Sequence, residues 1–173
     1  MISREFLECR KGAAAAELAL LLPLMVVILF GMFEGGYFLY NEHKVVKGVR
    51  DGARYAARQP FSKFVCGGGT TLSDTALETS IENLTRSGYP SGDNPTVIGA
   101  DNPTIPGWDN SEVTVTYTCN GATNTGLYTD ISGGAPIVTV SANVPYMPLF
   151  GVIGFDTSSL SLKADSQAAV MGL

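Results

Sequence analysis

Residues Gly12 to Phe33 read GAAAAELALLLPLMVVILFGMF, and 18 of the 21 residues from Ala13 onward are Ala, Leu, Met, Val, Ile or Phe. No charge interrupts Leu18 to Phe33. A helix needs about 20 mainly apolar residues to cross the roughly 30 Å hydrocarbon layer of a bilayer, so the stretch is long enough to span one. A cleaved secretory signal has a shorter apolar core, about 7–15 residues, followed by a small-x-small cut site. Glu34 to Tyr40 (EGGYFLY) offers no such site, which favours an anchor that stays in place.

Outward from this anchor the charge is segregated. The leader, residues 1–12, carries Arg4, Arg10 and Lys11 against Glu5 and Glu8. Residues 41–63 carry Lys44, Lys47, Arg50, Arg54, Arg58 and Lys63 against Glu42 and Asp51, whereas residues 64–173 hold only Arg86 and Lys163 against ten acids. A basic strip beyond an apolar run, followed by an acidic remainder, is the pattern of a membrane-proximal stalk carrying a water-exposed domain. The whole chain, 173 residues with a net charge of -5, has room for one domain and an appendage. Its acidic balance argues against a nucleic-acid partner. Positive charge alone would put the C-terminal side in the cytoplasm, because more of it follows the apolar run than precedes it.

The junction Lys11-Gly12-Ala13-Ala14-Ala15-Ala16-Glu17-Leu18 points the other way. A carboxylate at the centre of a span costs about 2.5–3.5 kcal/mol on insertion scales, so a lone Glu at the start of the run calls for a reason. One is a snorkelling anchor residue at the cytoplasmic interface. The other is that a basic leader ending in Gly, with Glu as the fifth residue after it, resembles a type IV prepilin. With Phe38-Leu39-Tyr40 and Val49-Arg50-Asp51-Gly52-Ala53-Arg54-Tyr55-Ala56-Ala57, the stretch from Gly12 to Ala57 resembles the TadE-like minor pilins, or pseudopilins, of tight-adherence (Flp) pilus systems. It departs at Leu18, where an aromatic often follows the Glu, and at Asp51, where Glu is more usual.

The resemblance implies a cut between Gly12 and Ala13 on the cytoplasmic side by a prepilin peptidase. It further implies that Glu17, fifth in the mature chain, sets register during assembly, with Glu34 at the far end of the run mattering less. Implied partners are that peptidase, other pilins and minor pilins, the inner-membrane assembly platform and the lipid bilayer. The implied place is the bacterial inner membrane, single-pass, with the C-terminal domain in the periplasm or carried into an extracellular pilus. The implied function is priming or capping of pilus assembly in support of adhesion or secretion. Two alternatives are the pseudopilin of a secretion-system piston and an uncleaved membrane-anchored binding domain.

The expected fold is α+β and type IV pilin-like, a long N-terminal helix on a small antiparallel sheet. The division is a leader over 1–12, a transmembrane part of the helix over 13–40, an exposed part over 41–58 and a head over 59–173. Pro23 and the glycines at 31, 35, 36, 48 and 52 are points where the helix bends or allows close approach. In the outer part Val45, Val46, Val49, Ala53, Ala56 and Ala57 recur at three- and four-residue intervals, an apolar face for a sheet, opposite Lys44, Lys47, Arg50, Arg54 and Arg58. The basic face reads as solvated, or as a contact for anionic lipid or an acidic neighbour.

Gln59-Pro60 ends the rod. Thr71 to Asp74 matches a capping box ahead of a helix from about Ser73 to Ser87. Asp93-Asn94-Pro95-Thr96 is echoed by Asp101-Asn102-Pro103-Thr104 in a loop, explained by turn chemistry better than by calcium. Strands are expected at Glu112–Cys119, Ile137–Val144 and Ser159–Val170, where alternation is clear. Val144 to Phe155 is apolar enough for core packing or for contact with another subunit.

Cys9 leaves with the leader if the cut occurs. Cys66 and Cys119 remain as an even pair in a domain expected outside the cytoplasm, which favours a disulfide over separate thiols or a metal pair. The bond would close a loop of about 54 residues and stabilise the fold by roughly 4 kcal/mol in the loop-closure picture. No catalytic residue, cofactor or metal site is expected. The chain lacks a nucleophile elbow, a phosphate loop and H-E-x-x-H, and its one histidine, His43, sits on the stalk.

Overall fold

A computed structural model describes residues 13–92, 103–151 and 159–172. The leader with Gly12 and Cys9, most of the Asp-Asn-Pro-Thr echo and the segment Val152 to Phe155 lie outside the described residues. Helix α1 runs unbroken from Ala13 to Ala57, 45 residues, through Pro23 and all five glycines. At 1.5 Å per residue it is about 68 Å long. It ends just ahead of Gln59-Pro60, and the tail of the chain meets it there. Met171 N–H donates to the Ala57 carbonyl at 2.7 Å, taking up one of the acceptors that a helix end leaves over.

The expected α+β architecture is observed. Strands β1 (Val113–Asn120), β2 (Ala135–Pro145) and β3 (Ser161–Ala169) form an antiparallel meander in the order β1-β2-β3. Each starts or stops within two residues of its expected bounds. Alternation builds the two faces. Val113, Val115 and Tyr117 of β1, Val138, Val140, Ala142 and Val144 of β2, and Leu162 of β3 are buried, while Thr114, Thr118, Asn143, Lys163, Asp165 and Gln167 face solvent. The register sets Val115 opposite Val140 and Val144 opposite Leu162, so buried residues pair with buried residues across the sheet.

The outer part of α1 packs on β2 and β3 and against α2 (Thr75–Ser87), which also touches β1. Here the capping expectation is corrected. Asp74 is the N-cap, accepting from the Ala76 and Leu77 amides at 3.1 Å, so α2 starts at Thr75 rather than Ser73. Thr71 instead makes an isolated bridge to Thr116 beside the sheet. The strand pairing outbids the local box, and the next competent acceptor caps the helix. Gly88, at φ 83°, closes α2 in the left-handed conformation that glycine adopts without a Cβ penalty.

The crossing of α1 on α2 depends on two residues without side chains. A Cβ on Gly48 would overlap the Thr85 backbone carbonyl, and one on Gly52 would overlap the Thr85 hydroxyl. Thr85 is itself fixed, its hydroxyl donating to the Ile81 carbonyl at 2.7 Å. Gly48 and Gly52 are one turn apart, so together they form a flat patch on which α2 rests.

Candidate functional site

The functional features of this chain lie along α1, whose two parts differ in everything but backbone. Every residue from Ala14 to Leu29 is exposed. Phe30, Glu34, Tyr37 and Phe38 are half-buried, and from Asn41 a buried stripe follows at Val45, Val49, Gly52, Ala53, Ala56 and Ala57. The spacing of three and four residues is that of one helix face. Two details differ from the expected apolar face: Val46 is only half-buried, and the polar Asn41 is 2% exposed where the helix enters the head. The opposite face carries Lys47, Arg50, Arg54 and Arg58, all exposed. Lys44 turns back to the fold, donating to the Thr104 carbonyl at 2.9 Å with its ammonium 4.5 Å from the centre of the Tyr40 ring.

Of the residues singled out from the sequence, Ala13 is the first of α1 and Glu17 lies one turn further, exposed amid apolar neighbours. Among the described residues no hydrogen bond or ion pair of the head involves Glu17. Cys66 and Cys119 are joined in a disulfide with 5.8 Å between their Cα atoms. It ties the segment after α1 to β1, beside two further links: the Tyr117 amide donates to the Thr70 carbonyl at 2.8 Å, and the Tyr117 hydroxyl to the Val65 carbonyl at 2.9 Å. His43 is exposed on α1, and among the described residues no three His, Cys, Asp or Glu side chains converge as metal ligands.

Sequence reasoning gave Glu34 only a lesser part in assembly and missed its contacts with the head. Its carboxylate accepts from the Tyr146 hydroxyl, from the Leu149 amide at 3.2 Å and from the Phe150 amide at 3.1 Å. The Tyr146 phenol is the donor of the first of these bonds, since a carboxylate only accepts. The turn after β2 is thereby pinned to the helix. The Phe150 ring meets Phe30 tilted, with centroids 4.9 Å apart, and Tyr146 meets Phe38 edge-on at 5.1 Å. The signal available in the sequence was a second lone acid at the far end of the apolar run and a turn rich in aromatic residues.

These features define a class: a chain with one helix long and apolar enough, among the described residues, to cross a membrane, whose outer part forms the backbone of a small α+β head. Within that class the helix has a likeness to a known family. Residues 12–54 match the family model of TadE-like protein, so this segment is similar to that family and consistent with a pilus-associated protein. The match covers Gly12, Ala13 and Glu17 and stops in the basic strip, short of the sheet. No curated protein and no solved structure matches the chain.

Proposed function

We propose that the chain is a minor pilin or pseudopilin that helps to prime or cap a tight-adherence pilus. A prepilin peptidase removes residues 1–12, and the helix from Ala13 to about Tyr40 stays in the bacterial inner membrane with the head on the periplasmic side. The observation that carries this reading is the TadE-like helix itself: bare from Ala14 to Leu29 and gripped by the head beyond Asn41. A bare apolar helix is stable only in lipid or among other helices, and both surroundings exist on a pilus assembly route.

The cut turns Glu17 from a liability into a connector. Removing Gly12 leaves a positive α-amine on Ala13, close to a carboxylate that is costly in lipid. A neighbouring subunit that brings amine and carboxylate together relieves both, and desolvation leaves axial register as the larger gain. Other pilins and the inner-membrane assembly platform are the partners this requires. The exposed Arg50, Arg54 and Arg58 are available to an acidic neighbour.

N-terminal sequencing of the membrane-bound protein, with and without a prepilin peptidase, tests the reading. The mature chain should begin at Ala13, and Gly12→Val should leave the uncut form, because a branched side chain obstructs the cut. Wild-type protein that still begins at Met1 in its own membranes would make this an uncleaved anchored domain. Glu17→Gln should be inserted and cut yet fail to co-purify with partner pilins; normal co-purification would reduce Glu17 to an interfacial anchor residue.

A further inference from the structure

The head does not end where the apolar run ends. The turn Tyr146–Gly151 lies beside α1 from Phe30 to Phe38, held by the Phe150 ring on Phe30 and by the three hydrogen bonds to Glu34. If the span starts at Leu18, above the costly Glu17, a hydrocarbon layer of about 30 Å takes about 20 residues and reaches Tyr37. Phe30 then lies about 10 Å and Glu34 about 5 Å inside the outer boundary. A bare carboxylate and an irregular backbone are both unfavourable at that depth. Here each answers the other: Glu34 takes up two amide protons of the turn, and the turn shields the carboxylate.

What the turn presents outward is apolar. Met147 and Leu149 are 54% and 51% exposed beside an outer sheet face that is mostly polar; the other exposed large apolar residues described in the head, Val65, Leu127, Leu160 and Met171, lie outside this turn. Tyr37, Tyr40 and Tyr146 cluster at the same level, rings with an apolar body and a polar tip that favour the membrane–water interface. Lys44 and Lys47 follow within about 10–15 Å, at the depth of phospholipid headgroups.

We propose that the Tyr146–Gly151 turn is a second membrane-seated element, lodged in the outer headgroup–acyl boundary of the bilayer with Met147 and Leu149 in lipid and Glu34 as its pin. The proposal rests on the reading that α1 spans the membrane. It gives the head a fixed height and azimuth on the bilayer, so that the basic face of α1 is held in one orientation for its partners. The occupant is lipid because the patch is continuous with the bare helix at hydrocarbon depth.

The test uses the full chain with Cys9→Ser and the disulfide intact, in phosphatidylcholine–phosphatidylglycerol vesicles at a low protein-to-lipid ratio. A polarity-sensitive fluorophore is placed on Leu149→Cys, on Leu24→Cys within the span, or on Leu127→Cys. Leu127 is 70% exposed and lies at the other end of the head, where Tyr128 packs on Phe61. Leu149 and Leu24 labels should shift to the blue and lose most of their emission to lipids carrying an acyl-chain nitroxide, whereas the Leu127 label should respond only to aqueous iodide. A Leu149 label that behaves like Leu127 while Leu24 is quenched by lipid overturns the wedge and leaves the span standing. A Leu24 label untouched by lipid overturns the span and the wedge with it. A Leu149 label shielded from both quenchers means that protein, such as a second copy, covers the turn, and the lipid assignment is wrong. Adding Glu34→Ala should open the Leu149 label to iodide; an unchanged response would show that Glu34 is not the pin.

Discussion

The inner and outer parts of α1 share one backbone and have opposite dependences. From Ala14 to Leu29 every residue of the helix is exposed, and Gly31, Gly35 and Gly36 have open space where a Cβ would stand. From Asn41 to Ala57 it is the central strut of the head, and Gly48 and Gly52 have no room at all. Val45 and Val49, both fully buried, contribute roughly 1.5–3 kcal/mol each by leaving water. The same secondary structure is thus left open to its surroundings in one part and held from inside the chain in the other. Glu34 stands where the two regimes meet.

The largest effect that would sharpen this contrast comes from the disulfide. Replacing both Cys66 and Cys119 by Ser should lower the stability of the head by roughly 4 kcal/mol, because the open chain regains the entropy of a long loop. Urea unfolding of the detergent-solubilised full chain, followed by the fluorescence of the buried Trp108, measures it. Helicity in the apolar part should persist beyond the head transition; simultaneous loss of both would break the division.

Next in size is the pair Gly48→Ala and Gly35→Ala. The first drives a methyl into the Thr85 carbonyl and should cost about 2–3 kcal/mol as α2 is forced away. The second meets nothing and should leave the midpoint within about 1 kcal/mol of wild type, on the stable side by helix propensity. Equal effects from the two would mean that the inner part is packed by the head after all.

Glu34→Ala removes the acceptor of two amides and a phenol and should cost about 1.5 kcal/mol. Denaturant midpoints in detergent, compared with Tyr146→Phe, which removes one of the three bonds, place the effect in the turn. A Tyr146→Phe change as costly as Glu34→Ala would assign no weight to the amides.

The smallest effect is one of pH. The Lys63 ammonium, then the Leu77 amide, hold the Asp74 carboxyl below its ordinary pKa. A depressed folded pKa stabilises the fold above the unfolded value, near 3.9, and that contribution disappears as pH falls through the lower folded value. The unfolding midpoint should therefore drop below about pH 4, and Asp74→Asn, which keeps an N-cap, should flatten that part of the profile. An unchanged profile in Asp74→Asn would show that other acids set it.

Local regularities carried much of this structure in the sequence. The apolar run and its three- and four-residue continuation fix α1, and the two-residue alternation fixes β1 to β3, because both patterns repeat within a turn of helix or a step of strand. The cysteine pair was legible from its parity and the expected compartment of the head. Only the tertiary structure decided which glycines of α1 matter, since Gly35 and Gly48 sit in similar helix and differ by the presence of Thr85. It likewise made Asp74 the cap in place of the Thr71 box, once Thr71 paired with Thr116. Glu34 shows the physical limit most clearly: its phenol donor is 112 residues away, and a hydrogen bond needs placement within a few tenths of an ångström, which the packing of the sheet on α1 supplies and no local pattern encodes.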